Sequence, residues 1–187
     1  MKRTFVRIIM LSFLLLLVLS RTALAMVEPG NSCGENVTWE LDEENGVLTI
    51  TGEGPMKNDY TAKENNRIYY NPPWWDKRYL IHTIIVEEGV TDIGEYAFYG
   101  CDQVTSVHLP DTLRTIQLGA FFGCKLLPKI DFPDGLTEII NAFDGCSSLK
   151  DVDFPEGIKR IGGFENCDSL TSVTIPDSVE SLDSYTF

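Results

Sequence analysis

The sequence predicts an α/β-type solenoid, in which short parallel β-strands stack along one face and irregular or 3₁₀ turns form the convex side. The first observation is a phrase that recurs along the chain: "DIGEYAFYGC", "TIQLGAFFGC", "EIINAFDGC", "RIGGFENC" and "SLDSYTF". Self-similarity at a period of about 20–50 residues is typical of repeat architectures. The second observation is a proline after the short apolar–polar alternation in the second to fifth units, and the third is a glycine or asparagine two residues after the repeated phenylalanine.

Alignment on this phrase divides the chain into repeated units of 23, 23, 22 and 21 residues, followed by an incomplete unit of 18. The units span residues 81–103, 104–126, 127–148, 149–169 and 170–187. One unit cannot bury its own apolar side chains, whereas stacked units cover one another. We therefore expect matching residues to form columns through the core, with neighbouring strands about 4.8 Å apart.

Each unit contains its own start and stop signals. The segment "SVHLP" alternates as a short, half-buried strand does, and Pro110 ends it because proline cannot donate to a sheet ladder. A second apolar pair then leads to the phenylalanine, in a turn that glycine closes by adopting a positive φ. The closing residues are Gly100, Gly123, Gly145 and, in the fourth unit, Asn166, the next most tolerant residue type.

The phrase "VTSVHLPDTLRTIQLGAFFGC" resembles the leucine-rich repeat of the BspA type, which occurs in bacterial surface proteins and in some parasitic protists. The resemblance covers residues 81–187. Upstream, "CGENVTWELDEENGVLTITGEGPM" followed by "PPWW" resembles the segment that often precedes these repeats in secreted bacterial proteins. The third and fourth units depart from the pattern, since they lose one and two residues before Phe143 and Phe164, and this should tighten the convex turn.

Residues 1–25 read as a signal peptide. The apolar run 8–19 follows three basic residues, is too short to span a bilayer, and is followed by "ALA", a cleavage pattern. Cleavage would remove four basic residues and no acidic one, which moves the formal charge from −13 to −17. We therefore expect a secreted or cell-surface protein without membrane insertion. So acidic a surface also disfavours nucleic acid as a partner, because lysine and arginine drive phosphate binding.

Residues 26–80 are predicted to be an N-terminal β-hairpin and capping segment. Residues 36–51 read as a hairpin with Asn45-Gly46 in its turn, and residues 52–71 as an irregular loop. Trp74 and Trp75 then either cap the first repeat, as terminal repeats require, or form a platform on which a ligand stacks.

Four of the five cysteines fall one per unit: Cys101, Cys124, Cys146 and Cys167. In a column with steps of about 4.8 Å, the outer two would lie about 14 Å apart, too far for one zinc ion. The Cβ vectors of neighbours would point the same way, which disfavours disulfides. We expect buried free thiols, and Cys33 has no evident partner.

We expect no catalytic residue, no cofactor and no metal site. The cysteines fall at the turn and His108 on the strand, so that no cysteine–histidine pair should form. The sequence contains no nucleophile elbow, phosphate-binding loop or zinc-protease motif.

Two columns of surface residues are candidate partner-binding sites. One residue of each strand should project from the exposed face of the sheet, and we call this set the sheet face: Ile85, His108, Asp131, Asp153 and Thr174. Solenoids bind partners on such faces, although an ordinary solvated face has the same pattern. The acidic residue of each turn forms a second set, the acidic ladder: Glu88, Asp111, Asp134, Glu156 and Asp177. These carboxylates either accept backbone N–H groups in the turn or attract Ca²⁺ or a basic partner.

These patterns favour an exported, non-enzymatic binding or adhesion module that presents its sheet face to an extracellular protein or glycan. The BspA resemblance implies attachment to host matrix proteins or to other cells. The alternatives are an accessory repeat segment of a longer secreted enzyme and a structural spacer. Phe187 falls in the phenylalanine column before a coil is complete, which suggests a fragment or self-association through an uncapped C-terminal end.

Overall fold

The computed structural model describes residues 31–58, 60–64 and 67–187. The predicted signal peptide, residues 1–25, lies outside these ranges. Within them, none of the helical structure has the length and apolar character that crossing a bilayer requires.

The described chain begins with the predicted hairpin. Strand β1 (Val37–Asp42) pairs antiparallel with β2 (Val47–Gly52), and Gly46 closes the turn with a φ of 65°. β2 also pairs in parallel with β6 (Thr83–Val86), the first strand of the repeats. The hairpin therefore extends the sheet of the solenoid by two strands and covers its first coil.

The prediction of an irregular loop over residues 52–71 is wrong in part. Strand β3 (Gly54–Pro55) pairs in parallel with β7 (Val90–Ile93), and β4 (Thr61–Glu64) forms a second antiparallel hairpin with β5 (Arg67–Tyr70). The glycine, proline and asparagine of this segment indicated a loop. The isoleucine and two tyrosines of β5 favour a strand, and pairing with β4 lets that preference prevail.

The predicted strand forms in the first four repeats, but the resulting sheet is interrupted. Its parallel strands are β6 (Thr83–Val86), β8 (Ser106–His108), β10 (Lys129–Asp131) and β12 (Asp151–Asp153). β8 pairs with β6, and β12 with β10, whereas β8 and β10 belong to separate sheets. Pro128 is the cause. At the matching positions of the second and fourth units, the N–H groups of Thr105 and Lys150 donate to the preceding coil at 2.9 and 3.0 Å. Proline has no N–H group, so Pro128 cannot make this bond.

A second parallel sheet follows the turn of each unit and was not predicted. Each repeat contributes one short strand to this sheet: β7 (Val90–Ile93), β9 (Thr115–Ile116), β11 (Glu138–Ile139), β13 (Arg160–Ile161) and β14 (Ser181–Leu182). With β3 they form one six-stranded sheet in the order β14-β13-β11-β9-β7-β3. The second sheet is continuous, so it fixes the register of neighbouring coils even where the first sheet is interrupted.

The convex side consists of successive turns rather than 3₁₀ helices. The N–H of Tyr99 donates to the carbonyl of Tyr96, and that of Cys101 to the carbonyl of Phe98, both at 3.2 Å. The 3₁₀ helix Trp75–Leu80 stands ahead of the first repeat and is the one helix among the described residues. The prediction of irregular or 3₁₀ convex turns is confirmed, and these single turns do not extend into 3₁₀ helices within the repeats.

The phenylalanine column is confirmed. The ring centroids of Phe98, Phe121, Phe143 and Phe164 follow one another at 5.1, 5.0 and 5.3 Å, and each residue is at most 2% exposed. Trp74 continues the column above Phe98 at 5.6 Å and donates its indole N–H to the carbonyl of Ala97. Trp74 therefore serves as the cap of the first repeat, the first of the two interpretations of this tryptophan.

The closing residues of the turns also behave as predicted. Gly100, Gly123 and Gly145 have φ values of 66°, 72° and 73°, and Asn166 has 59°. A Cβ on Gly145 would lie 3.7 Å from the Cα of Gly123, in ordinary contact with the coil before it. The positive φ is therefore the stronger reason for glycine here.

Candidate binding surfaces

Four of the five sheet-face residues lie on the strands in register. Ile85 on β6 pairs with His108 on β8, and Asp131 on β10 pairs with Asp153 on β12. The side chains of His108, Asp131 and Asp153 are exposed, and Ile85 is half-buried. The structure therefore arranges these four residues as two in-register pairs on either side of the break in the predicted sheet.

The prediction for Thr174 is wrong in one respect. Thr174 is exposed, but the segment around it forms no strand and does not pair with β12. Ile175 beside it remains 37% exposed, so this coil buries too little apolar surface to offset the entropy of ordering an extended strand. The sheet face of the described chain ends at Asp153.

The sheet face changes in character along the solenoid. Thr83 and Ser106 accompany Ile85 and His108 on the first two strands, whereas acidic residues dominate the last two. Lys129 pairs there with Asp131 at 2.8 Å, but both side chains are more than half exposed, so this ion pair adds little stability. The hydrogen bond and charge of Asp131 raise the pKa of Lys129 above its ordinary value.

The acidic ladder is exposed at all five positions. The carboxylate of Glu88 accepts the backbone N–H of Asp111 in the next coil at 2.9 Å. Among the described residues, Glu88 is the one ladder carboxylate with a backbone hydrogen bond, and its donor lies in the next coil. In the same ranges, no three histidine, cysteine, aspartate or glutamate side chains approach closely enough to hold a metal ion.

All five cysteines are free and buried, as expected. The thiols of Cys124, Cys146 and Cys167 donate to the carbonyls of Phe98, Phe121 and Phe143 in the coil before, at 3.5, 3.2 and 3.4 Å. Both histidine side chains are exposed and form hydrogen bonds with groups other than the cysteines. His108 contacts the Ser106 hydroxyl, and His82 contacts the Gln103 carbonyl. The structure thus brings no cysteine together with a histidine in the part of the chain that it describes.

Burial makes these thiols poor nucleophiles. It raises the pKa of Cys101 to about 12 and that of Cys167 to about 11, from an ordinary value of 9.0. We expect the folded protein at pH 8 to react with a disulfide reagent at least about a hundredfold more slowly than the unfolded protein. Cys167 should react first, since it is 7% exposed whereas Cys124 is fully buried. Fast labelling of Cys124 in the folded protein would contradict this account.

The same shifts predict how stability depends on pH. Unfolded thiols release their protons near pH 9.0, whereas folded Cys101 and Cys167 retain theirs to about 12 and about 11. Between these values the folded state binds more protons, so the free energy of unfolding must fall as the pH rises above 9. Urea unfolding at a series of pH values between 8 and 11 measures this loss.

Sequence reasoning missed a column on the convex side. This column consists of the residues that directly follow Trp74 and the four phenylalanines of the buried column: Trp75, Tyr99, Phe122, Asp144 and Glu165. Trp75 stacks on Tyr99 at 5.8 Å and Tyr99 on Phe122 at 5.2 Å. The signal was present in the alignment of the units, where this position changes from aromatic to acidic. We call these five residues the convex column.

Coils built from one repeated unit, held by two parallel sheets, define a solenoid repeat protein of the leucine-rich class. A family model described as "BspA type Leucine rich repeat region (6 copies)" matches residues 76–187, more than half of the chain. The chain therefore belongs to this family. BspA-type proteins are typically bacterial cell-surface proteins, and leucine-rich repeats are generally non-enzymatic.

Solved bacterial structures share the fold. The T. pallidum leucine-rich repeat protein is 25% identical with a TM-score of 0.52, over 76% of this chain and 70% of that one. A leucine-rich cell surface protein from Faecalibacterium prausnitzii is 28% identical with a TM-score of 0.54, over 79% and 43%. A leucine-rich repeat protein from Eubacterium ventriosum is 25% identical with a TM-score of 0.56, over 82% and 44%. The chain thus spans less than half of the last two proteins, and no curated protein matches it.

Proposed function

We propose that the protein is an exported, non-enzymatic binding or adhesion module whose sheet face contacts an extracellular protein or glycan. The observation that carries the proposal is the register of the sheet face. Ile85 pairs with His108 and Asp131 with Asp153, so that matching positions of successive coils lie side by side, and three of these four side chains are exposed. Extended surfaces of this kind are what solenoids use to bind large partners.

The change along the sheet face indicates what a partner should offer. Its first two strands present Ile85, His108 and hydroxyl groups, and its last two present Asp131, Asp151 and Asp153 against the single cation Lys129. A complementary partner therefore carries neutral or apolar groups at one end and basic groups at the other. The F. prausnitzii relative is a cell surface protein, which agrees with display of this module outside the cell.

Binding of the purified protein to a panel of immobilised matrix proteins and glycans tests the proposal. We expect at least one to bind, and the triple variant His108→Ala, Asp131→Ala, Asp153→Ala to bind it at least about tenfold more weakly. The matched control, Asp134→Ala with Glu156→Ala, removes two charges from the same two coils and should bind normally. A triple variant that binds as well as the wild type would show that the sheet face is the wrong surface. Failure of every ligand to bind would favour a structural spacer.

A further inference from the structure

The convex column borders a cleft, and no residue of the sheet face lines this cleft. The cleft has a volume of about 350 Å³ and lies across all five coils. Aromatic rings line one part of it and carboxylates another, and we call these six residues the aromatic–acidic groove: Tyr70, Tyr96, Tyr99, Phe122, Asp144 and Glu165. It lies where the third and fourth units have one and two residues fewer, since a shorter turn leaves space on the convex side.

The backbone holds the groove residues in place. The N–H of Gly123 donates to the carbonyl of Asp144 at 2.8 Å, and that of Gly145 to the carbonyl of Glu165 at 2.9 Å. Tyr70 packs against both Tyr96 and Tyr99, with ring centroids 4.3 and 4.1 Å away. The rings and the backbone of the two acidic residues are thus held in place before any ligand arrives, which lowers the entropy cost of binding.

The carboxylates of the groove lack a cation. No lysine or arginine of the described residues pairs with Asp144 or Glu165. Oδ1 of Asp144 is buried without any hydrogen-bond partner. Two neighbouring carboxylates without a cation repel each other, so a positively charged hydrogen-bond donor bound beside them would relieve that cost. Burial, followed by the charge of Glu165, raises the pKa of Asp144 above its ordinary value.

The protein itself shows which cation suits this surface. At the start of the convex column, the guanidinium carbon of Arg78 lies 3.8 Å from the ring centroid of Trp75. Nη1 of the same guanidinium donates to the carbonyl of Trp75 at 2.8 Å. A guanidinium both stacks on aromatic faces and donates in pairs to carboxylates, which an ammonium group does less well. Further along the column, the rings of Tyr99 and Phe122 are followed by the carboxylates of the next two coils.

We propose that the aromatic–acidic groove binds the guanidinium group of an arginine side chain that a partner protein presents. The guanidinium stacks on Phe122, the last ring of the convex column, and donates to Asp144 and Glu165. The groove lies on the convex side, so this contact adds to binding at the sheet face and does not depend on it.

Titration of the ¹⁵N-labelled protein with N-acetyl-arginine N-methylamide tests the proposal by NMR. We expect the amide signals of Gly123 and Gly145 to shift, because their N–H groups donate to the backbone of the two acidic groove residues. The citrulline analogue has the same shape without the charge and should bind at least about tenfold more weakly. Equal binding of citrulline, or tighter binding of choline, would overturn the assignment to arginine.

Matched variants locate the site. Asp144→Asn with Glu165→Gln should weaken binding of the arginine probe at least about tenfold, and Phe122→Leu should weaken it by a smaller factor. Asp134→Asn with Glu156→Gln changes the same charge in the same two coils and should leave binding within about twofold, since distant surface charges are screened. Both double variants must give folded spectra, and Phe122→Leu serves as the test if the groove variant does not fold. Unchanged binding in a folded groove variant would refute the proposal.

Discussion

Replacing Phe143 by alanine (Phe143→Ala) should lower the free energy of unfolding by about 4 kcal/mol, since large-to-small changes at aromatic core positions cost about 3–5 kcal/mol. Phe143 is 0% exposed, and its ring stacks between those of Phe121 and Phe164 at 5.0 and 5.3 Å. Phe132 also contacts it edge-on at 5.7 Å. The two sheets hold these neighbours apart, so the cavity cannot close. Guanidinium unfolding followed by circular dichroism measures the loss.

The same substitution at the exposed end of the column is the control. Phe187 is 54% exposed and stacks on Phe164 alone, at 5.8 Å. Because each coil of a solenoid contacts only its neighbours, Phe187→Ala should cost about 1 kcal/mol or less. Equal losses for the two variants would mean that burial between neighbouring rings does not stabilise the solenoid.

Replacing Gly163 by alanine (Gly163→Ala) should cost at least about 3 kcal/mol, because two effects add. Gly163 has a φ of 78°, where a side chain is strained. A Cβ there would also lie 2.2 Å from backbone atoms of Asn141 and 2.4 Å from the amide nitrogen of Ala142. These are backbone atoms, so the two coils would have to separate. Thermal unfolding of the variant measures the effect.

Gly157→Ala is the matched control in the same unit. Its φ lies outside the left-handed region, and the nearest atom to an added Cβ is the carbonyl oxygen of Asp134 at 3.7 Å, an ordinary contact. We expect the free energy of unfolding to change by no more than about 0.5 kcal/mol. If Gly163→Ala melted at the temperature of Gly157→Ala, the close approach of the third and fourth coils would be refuted.

The sequence predicted the parts of the fold that repetition encodes. The phenylalanine column, the positive φ at Gly100 and Asn166 and the buried thiols all follow from one assumption, that matching positions stack. Matching positions of a stacked column have the same environment in each coil, so a residue that is ambiguous in one unit can be interpreted from the matching residues of the other units. This is why single residues such as Asn166, which depart from the pattern, could still be interpreted.

The sequence did not predict features that depend on short or unrepeated segments. The strands of the second sheet are as short as Thr115–Ile116, which is too few residues to show an alternation. The break in the first sheet depends on Pro128 alone, at a position where the other units have no proline. The β4–β5 hairpin lies outside the repeats, and Thr174 lies in a coil that buries too little apolar surface to pair.

The candidate surfaces differ in the same way. The sheet face was found because strand alternation separates inward from outward residues, and four of its five members form two in-register pairs. The aromatic–acidic groove was missed because its column changes from tyrosine and phenylalanine to aspartate and glutamate. Repeats are recognised from positions that keep the same residue type in every unit, so a position that changes from aromatic to acidic along the solenoid is overlooked. Its depth also depends on the loss of residues from the third and fourth units.

Ring-to-ring nuclear Overhauser effects among the phenylalanines test the stacking of the units most directly. The stack predicts cross-peaks between Phe98 and Phe121, Phe121 and Phe143, and Phe143 and Phe164, whose centroids lie 5.1, 5.0 and 5.3 Å apart. It predicts none between Phe98 and Phe143, which are two coils apart. Absence of the neighbour peaks, or a peak between Phe98 and Phe143, would contradict the register on which both binding surfaces depend.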